Sequence, residues 1–284
     1  MGATGPLAAR LRRLLRHPAG VVGLVITMVV VAVAVLAGVL APGDPFASVA
    51  RPLLPPSWSH PMGTDDFGRD VLAGVVHGAR TSMVVVGWVM LIAGVLGVAV
   101  GAVAGYFGGV LDELLMRVTD LFQSVPRFFL AVLVVALFGA GLDNLILVLG
   151  VSTWPWLARV VRADVLSMRE REFVTASRAL GASDARILAR HVIPNVLPSA
   201  IVMVSLLAST VILLEAGLGF IGLSDPAAMS WGYLTNNAQR FLRVAWWMSV
   251  FPGAAIAVAV LGINLLGDAV NDVLNPRSVT RLRK

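Results

Sequence analysis

Four long apolar runs constrain this sequence more than any other feature. They cover residues 20–41, 83–105, 196–214 and 245–266. An α-helix needs roughly 20 such residues to cross about 30 Å of hydrocarbon. Charged residues make up only 13% of the 284 residues, whereas soluble domains carry roughly 25%. The sequence therefore predicts an all-α integral membrane protein.

Two shorter apolar runs, 128–140 and 145–158, leave the number of spans open. Arg127 and Arg159 bracket them, and only the four residues 141–144 separate them. This spacing favours a tight helical hairpin, although each run is shorter than a standard span. Hydropathy does not decide between four spans and six, because a hairpin can be added or removed without changing the orientation of the other segments.

The placement of basic residues predicts the orientation of these runs. Seventeen of the 22 Lys and Arg residues lie in 1–19, 106–127, 159–190 and the C-terminal tail, and five lie in 42–82 and 221–244. Cytoplasmic loops carry the excess of Lys and Arg in membrane proteins. Both termini are therefore predicted to be cytoplasmic, and the loop 42–82 is predicted to be external.

The runs and loops divide the chain into five predicted parts. The first run is longer than the apolar core of about 7–15 residues in a signal peptide, so it is interpreted as an uncleaved anchor. The external loop is rich in proline, which indicates irregular structure. The parts are a cytoplasmic N-terminal segment (1–19), a first transmembrane helix (20–41), the external loop (42–82), a transmembrane core (83–276) with a cytoplasmic loop (165–194), and a basic tail (277–284).

Several functional classes are excluded or disfavoured by what the sequence lacks. Cysteine is absent, and the one lysine is Lys284, so there is no GxxxxGK[ST] loop for ATP phosphates. No HExxH or GxSxG motif is present, and no pair of histidines has metal-ligand spacing. The net charge of +6 comes from residues beside apolar runs, which indicates membrane orientation and not nucleic-acid binding. We therefore expect no enzyme activity and no bound cofactor or metal.

The charged cytoplasmic loop ahead of the third long run has the pattern of a helix followed by a turn. Helix-forming residues fill 170–180, and Phe173, Ala176 and Leu180 share one face at helical spacing. Gly181 follows at a position suited to a left-handed C-terminal cap. The segment therefore predicts a short amphipathic helix that ends at Gly181.

A second helix is predicted directly after this turn. Ser183 and Asp184 can cap its first residues, it covers 185–193, and Pro194 ends it. From this pattern alone, an ordinary solvated loop helix with no function is an equally good explanation.

Residues of this loop resemble the "EAA" loop of ABC-importer permeases. The pair Ala176 and Ser177 is followed after three residues by Gly181, and then by Ile193 and Pro194. Two positions depart from the motif, because a threonine precedes the pair where glutamate is expected and a serine replaces the second alanine. The resemblance implies an ATPase-coupling loop formed by Thr175, Ala176, Ser177, Gly181, Ala182, Ile193 and Pro194.

Five further segments are similar to the C-type, or second, permease of dipeptide, oligopeptide and nickel importers. They are HPMGTDDFGRDV (60–71), DELLMRVTD (112–120), EAGLGFIGL (215–223), SWG (230–232) and NLLGDAVNDVLNP (264–276). The resemblance extends from about residue 10 to residue 277. It implies six transmembrane helices of the type I ABC-importer permease kind, with a cytoplasmic coupling helix-turn-helix.

The resemblance also implies a function and a set of partners. The chain would be the permease subunit of an ATP-driven importer of dipeptides or oligopeptides in the bacterial cytoplasmic membrane. It would pair with a second homologous permease, with two nucleotide-binding domains that bind ATP and Mg, and with an external substrate-binding lipoprotein or periplasmic protein. No nucleic-acid partner is expected.

A stand-alone secondary transporter or channel is the alternative function. Such a protein needs ionisable residues or broken helices within the membrane, and Glu215, at the end of the third long run, is the main candidate in the strong spans. Glu215 is otherwise interpreted as a helix-end residue that is hydrogen-bonded to a neighbour, with a role in an external gate as the alternative.

The external loop supplies the other candidate gate residues. Asp65, Asp66 and Asp70 form a carboxylate cluster, and Arg69 lies among them. The cluster could bind a cation or a peptide amine. Capping of the loop and contact with a partner protein explain the same residues.

Overall fold

The computed structural model describes residues 18–274, and its secondary structure over this range is almost entirely helical. In chain order the α-helices are α1 (Pro18–Val35), α2 (Ala37–Leu40), α3 (Val71–Phe107), α4 (Gly109–Ser124), α5 (Arg127–Phe138), α6 (Leu142–Arg169), α7 (Glu172–Ala179), α8 (Asp184–Ile187), α9 (Ile193–Leu218), α10 (Trp231–Ala238) and α11 (Trp247–Leu274). Two π-helical segments, Leu188–Val192 and Gly219–Leu223, adjoin α9, and a 3-10 turn, Gln239–Phe241, follows α10. The predicted N-terminal segment up to residue 17, residues 275–276 of the predicted core and the basic tail 277–284 lie outside the described residues.

Five helical stretches in the described range are long and apolar enough to span a membrane. They are α1, α3, α6, the stretch Asp184–Leu223 and α11. Helices α4 and α5 together would form a sixth span, bent by 76° where Val125 and Pro126 separate them. The predicted all-α membrane fold is confirmed, and the structure favours six spans over four.

Helix α3 is longer than the apolar run that predicted it. It begins at Val71 and not near residue 83, so the connection after α2 is shorter than the predicted loop 42–82. The Asp70 carboxylate accepts a hydrogen bond from the Ala73 N–H at 3.1 Å and caps the first turn. Farther along, Nε2 of His77 lies 2.9 Å from the carbonyl oxygen of Ala41. The polar residues that interrupt the hydropathy therefore do not interrupt the helix.

Helices α3 and α6 form the most extensive helix pair, and three glycines of α3 bring their backbones together. Gly97, Gly101 and Gly105 recur every fourth residue and face α6. A Cβ atom at Gly101 would lie 2.4 Å from the carbonyl oxygen of Ala158. Small residues at this spacing permit close packing of membrane helices. This spacing is the sequence signal for the contact, and the hydropathy analysis missed it.

Helix α6 continues well beyond the apolar run 145–158, because its arginines have partners on α4. Arg162 binds both carboxylate oxygens of Asp112, at 2.5 and 2.7 Å. Arg159 pairs with Asp120. Two charge pairs thus attach α4 to the charged half of α6, and they use the first and last residues of the segment DELLMRVTD.

The predicted hairpin between the two shorter runs is present between α5 and α6. Three residues connect the helices, and the first of them, Gly139, has a φ of +91°. The side-chain amide of Asn144 donates to the carbonyl oxygens of Phe138 and Gly139, at 3.2 and 3.0 Å. These bonds satisfy carbonyl groups at the end of α5.

The coupling helix-turn-helix is present, but the prediction that its second helix ends at Pro194 is wrong. Helix α8 passes through the π-helical segment Leu188–Val192 directly into α9. Proline has no N–H group, and its ring crowds the carbonyl four residues earlier. The wider π-helical turn before Pro194 accommodates this ring, and the side-chain amide of Asn195 donates to the carbonyl oxygen of His191 at 2.6 Å.

Candidate functional site

Helix α7 presents an apolar face to its surroundings in the coupling loop, which we define as residues 170–183. Leu180 is 88% exposed and Phe173 is 39% exposed, whereas Val174 is completely buried. The buried valine holds the helix against the core, and the two exposed side chains belong to the face that the sequence predicts. An exposed apolar surface on a charged loop is typical of a contact with another protein.

Gly181 ends this helix in the predicted left-handed conformation, with a φ of +79°. Its N–H donates to the Arg178 carbonyl at 3.0 Å, and the Ala182 N–H donates to the Ser177 carbonyl at 3.1 Å. A Cβ atom at Gly181 would meet nothing within 4 Å. Glycine is therefore favoured here by backbone conformation and not by lack of space.

The start of α8, directly after the coupling loop, is attached to α3 by the Tyr106 hydroxyl. Ser183 occupies the N-cap position of α8, but its side chain makes no capping bond. Instead the Asp184 carboxylate accepts a hydrogen bond of 2.6 Å from the Tyr106 hydroxyl, and Arg178 donates to the same hydroxyl at 3.3 Å. Tyr106 lies in the last turn of α3, so this network joins the loop to the end of that helix.

The seven residues of the predicted coupling motif fall into two groups. Thr175 and Ala176 are exposed on α7, and the Ser177 hydroxyl donates to the Phe173 carbonyl at 2.8 Å. Ala182 and Ile193 are partly buried against the core, and Pro194 is exposed at the start of α9. The structure thus places residues 175–181 on the presented surface and the last pair where the loop joins a transmembrane helix.

Three of the four candidate residues in the external loop, which we define as residues 41–70, have partners within the chain. The Asp65 carboxylate accepts from the N–H groups of Phe67 and Arg69, at 2.9 and 2.8 Å. Burial raises the pKa of Asp65 above its usual value, and these bonds oppose that effect. Asp70 caps α3 and also lies 2.8 Å from Nδ1 of His60.

Arg69 is enclosed by aromatic rings. Its guanidinium carbon lies 5.1 Å from the centre of the Phe46 ring and 4.6 Å from that of Phe67. It donates to the Tyr233 hydroxyl at 3.1 Å. Arg69 therefore fastens the loop to α10.

Asp66 differs from the other three candidate residues of the external loop in its hydrogen bonding. Its Oδ1 atom is buried and has no hydrogen-bond partner. Burial raises the pKa of the Asp66 carboxyl, and a hydrogen bond from the backbone of Asp66 itself, together with the charges of Arg69 and Arg240, opposes that rise. Within residues 18–274 no group of three acidic or histidine residues could hold a metal ion.

Glu215 connects three helices inside the protein. Its side chain is 1% exposed and accepts a hydrogen bond of 3.0 Å from the Ser82 hydroxyl of α3. The Ser230 hydroxyl, which precedes α10, also bonds to this carboxyl group. Nearby, a Cβ atom at Gly219 would lie 2.6 Å from the Cα atom of Gly232. The segments EAGLGFIGL and SWG therefore pack directly against each other.

Comparison with known families explains why these segments resemble one group of proteins. A family described as the binding-protein-dependent transport system inner membrane component matches residues 97–280. The N-terminal TM domain of oligopeptide transport permease C matches residues 5–56. The chain belongs to the C-type permeases of ABC importers. This membership favours the permease interpretation over a stand-alone transporter or channel.

The relatives of the permease match over nearly their whole lengths. A putative peptide transport system permease protein of Brucella abortus is 39% identical over 96% of this chain and 92% of its own. A dipeptide transport system permease protein of Alkalihalophilus pseudofirmus is 36% identical over 97% and 91%, respectively. The fold is shared with a chain of the inward-facing MetNI methionine ABC transporter, with a TM-score of 0.58 and 21% sequence identity. The match covers 70% of the permease and 96% of that chain.

Sequence reasoning did not find three residues that complete these sites in the permease. Ser82 binds Glu215 from 133 positions away, and Tyr106 binds Asp184 from 78 positions away. Arg240 lies beside Asp66 across a similarly long separation. The local sequence around these residues carries no signal for such contacts, since each depends on how two helices or loops meet.

Proposed function

We propose that the chain is the permease subunit of a bacterial importer of dipeptides or oligopeptides. The names of the relatives support this substrate class, and the distribution of basic residues supports cytoplasmic termini in a cytoplasmic membrane. A second homologous permease completes the translocation path. Two partner ATPase subunits bind ATP and Mg, and an external lipoprotein or periplasmic protein delivers the peptide. The permease itself catalyses no reaction.

The observation that carries this proposal is the exposed face of α7. Phe173 and Leu180 expose apolar surface beside the charged residues of the coupling loop, which suits a groove on an ATPase subunit. Because Gly181 fixes the turn and Asp184 bonds to Tyr106, the face is held in one orientation relative to α3.

Helix α3 supplies a continuous route from this face to the external loop. Its 37 residues correspond to about 55 Å of helix, from Asp70 at one end to Tyr106 near the other. In this mechanism, movement of the docked ATPase subunits turns α3 and its partner α6 together, since the three glycines keep the two helices in close contact. The path then opens alternately to the two sides.

Replacement of Leu180 tests the docking surface. We expect Leu180→Ser to reduce copurification of the ATPase subunits while membrane abundance stays normal, because the side chain is 88% exposed and supports no core packing. Trp58→Ser is the matched control, since Trp58 is fully exposed on the external loop. If Leu180→Ser retains the ATPases as well as Trp58→Ser does, docking through this face is wrong.

A second test asks whether ATP is bound and hydrolysed only by the partner ATPase subunits. Because the sequence has no phosphate-binding loop, the purified chain alone should neither bind nor hydrolyse ATP, and activity should appear only with the ATPase subunits present. Nucleotide binding by the isolated chain, measured with a fluorescent ATP analogue, would contradict the proposal.

A further inference from the structure

A polar cavity of about 260 Å³ lies between the external loop and the end of α10. Asp66 and Phe67 form one side, and Asn237, Arg240 and Phe241 lie on the other. The volume is somewhat below the roughly 300 Å³ at which pockets for drug-sized ligands begin. The cavity therefore suits a ligand of one or two amino-acid residues.

Asp66 and Arg240 line this cavity as residues of opposite charge and, among the described residues, form no direct ion pair with each other, although the charge of Arg240 acts on the Asp66 carboxyl. The ion pairs of the external-loop carboxylates in the described chain are His60 with Asp70 and Arg69 with Asp65, and neither involves Asp66 or Arg240. The Oδ1 atom of Asp66 is buried without a hydrogen-bond partner. A buried carboxylate oxygen is normally hydrogen-bonded, so Asp66 carries an unsatisfied acceptor at the wall of the cavity.

The walls of the cavity are fixed by contacts that do not use these charges. The side-chain amides of Asn236 and Gln239 both donate to the carbonyl oxygen of Phe220. On the opposite side the Phe67 ring packs against the Arg69 guanidinium. A cavity with fixed walls and two opposite charges that form no direct ion pair is preorganised for a ligand that carries both opposite charges.

We propose that this cavity binds the charged ends of a small zwitterionic peptide, with the ammonium group at Asp66 and the carboxylate at Arg240. The site holds the peptide at the external mouth of the permease, and in this respect the inference rests on the proposed function. A lone metal ion fits the site poorly, since no cluster of three ligand residues occurs within residues 18–274.

The test measures binding of radiolabelled L-alanyl-L-alanine to the purified full-length chain in lipid nanodiscs by equilibrium dialysis. Asp66→Asn and Arg240→Gln should each weaken binding by about tenfold or more, since each removes one charge-assisted contact. Asp44→Asn and Arg243→Gln are matched controls in the external loop and near α10, outside the cavity, and should bind as the unmodified chain does.

Modified ligands give a second test, first with the unmodified chain and then with the two variants. N-acetyl-L-alanyl-L-alanine lacks the ammonium charge and should compete about tenfold less well for the unmodified chain. Against Asp66→Asn the acetylated and free peptides should compete almost equally, because the partner of the ammonium group is already gone. A dipeptide with a C-terminal amide lacks the carboxylate charge. Against Arg240→Gln it should compete almost as well as the free peptide, because the partner of the carboxylate is already gone.

Three results would overturn the proposal. The first is an absence of saturable dipeptide binding by the unmodified chain, and the second is equal competition by free and acetylated peptides. The third is unchanged dipeptide binding in Asp66→Asn and Arg240→Gln together with loss of association with the external binding protein, which would mean that the cavity seats a side chain of that partner. The measurement uses no ATPase, so its failure is distinct from failure of ATPase copurification.

Discussion

The turn of the coupling loop depends on the left-handed backbone conformation of one residue, Gly181. A valine there would have to adopt a φ near +79°, at a cost of about 1–3 kcal/mol, or would reorient α8. We expect Gly181→Val to reach the membrane at normal abundance but to lose peptide uptake and ATPase copurification. Gly181→Asn should be milder, because asparagine tolerates this conformation.

Ser183→Ala is the control for this prediction. The Ser183 side chain makes no capping bond, so its loss should cost less than the ~1 kcal/mol of an average N-cap. Normal uptake by Gly181→Val would show that the turn is not a pivot, and the loop would then be an ordinary solvated connection.

Glu215 should act as a hydrogen-bond acceptor that joins α3, α9 and α10. Glu215→Ala leaves the hydroxyl groups of Ser82 and Ser230 without this acceptor in a buried site, which costs about 1–3 kcal/mol. Glu215→Gln retains an acceptor oxygen and should keep most of the stability. The measurement is the thermal unfolding midpoint of the detergent-solubilised chain.

The control for Glu215 is Glu113→Ala. Glu113 is 68% exposed and pairs with Arg117 on the same helix, and such surface pairs contribute about 0–1 kcal/mol. Its removal should scarcely change the unfolding midpoint. Equal destabilisation by Glu215→Gln and Glu215→Ala would mean that the charge of the carboxylate matters and not its role as an acceptor.

Among the secondary-structure elements, the pairing of α3 with α6 predicts that two glycine-to-alanine substitutions in α3 differ in their effect on stability. A Cβ atom at Gly101 would lie 2.4 Å from the Ala158 carbonyl oxygen, so Gly101→Ala must push the helices apart. A Cβ atom at Gly87, in the same helix, meets nothing within 4 Å. Gly87→Ala should therefore be neutral, or stabilising by up to about 1 kcal/mol from helix propensity.

Thermal unfolding in detergent checks this pair of alanine variants, with uptake as a second measurement. Gly101→Ala should lower both the unfolding midpoint and uptake, whereas Gly87→Ala should lower neither. Equal midpoints for the two variants would show that α3 and α6 can separate without cost, which would remove the rigid connection on which the proposed mechanism depends.

At the scale of the whole molecule, the orientation in the membrane can be tested without removing any native thiol, because the chain has no cysteine. Ser57 and Ser183 are both exposed and lie in the external and coupling loops. Ser57→Cys should react with an impermeant maleimide on intact cells or spheroplasts, whereas Ser183→Cys should react only after permeabilisation. The reverse pattern would invalidate the orientation and the proposed coupling.

The sequence by itself determined the class of the protein and the approximate positions of its helices. Transfer of an apolar segment into hydrocarbon is a property of that segment alone, so the runs 20–41, 83–105, 196–214 and 245–266 identified membrane helices directly. The left-handed helix end at Gly181 was also predicted from the sequence, because it depends on the backbone conformation of that residue alone. The family followed from short motifs that the comparisons confirmed.

The tertiary structure alone decided the other helix boundaries and the partners of the polar residues. The apolar run 83–105 failed to predict the start of α3 at Val71, because His77 is accommodated by a carbonyl of another segment. The helical stretch that begins with α8 continues past Pro194, because the π-helical segment Leu188–Val192 connects it to α9. The bonds from Tyr106 to Asp184 and from Ser82 to Glu215 join residues far apart in sequence. Such contacts depend on the packing of whole helices, and hydropathy and local propensity carry no information about which distant side chains that packing brings together.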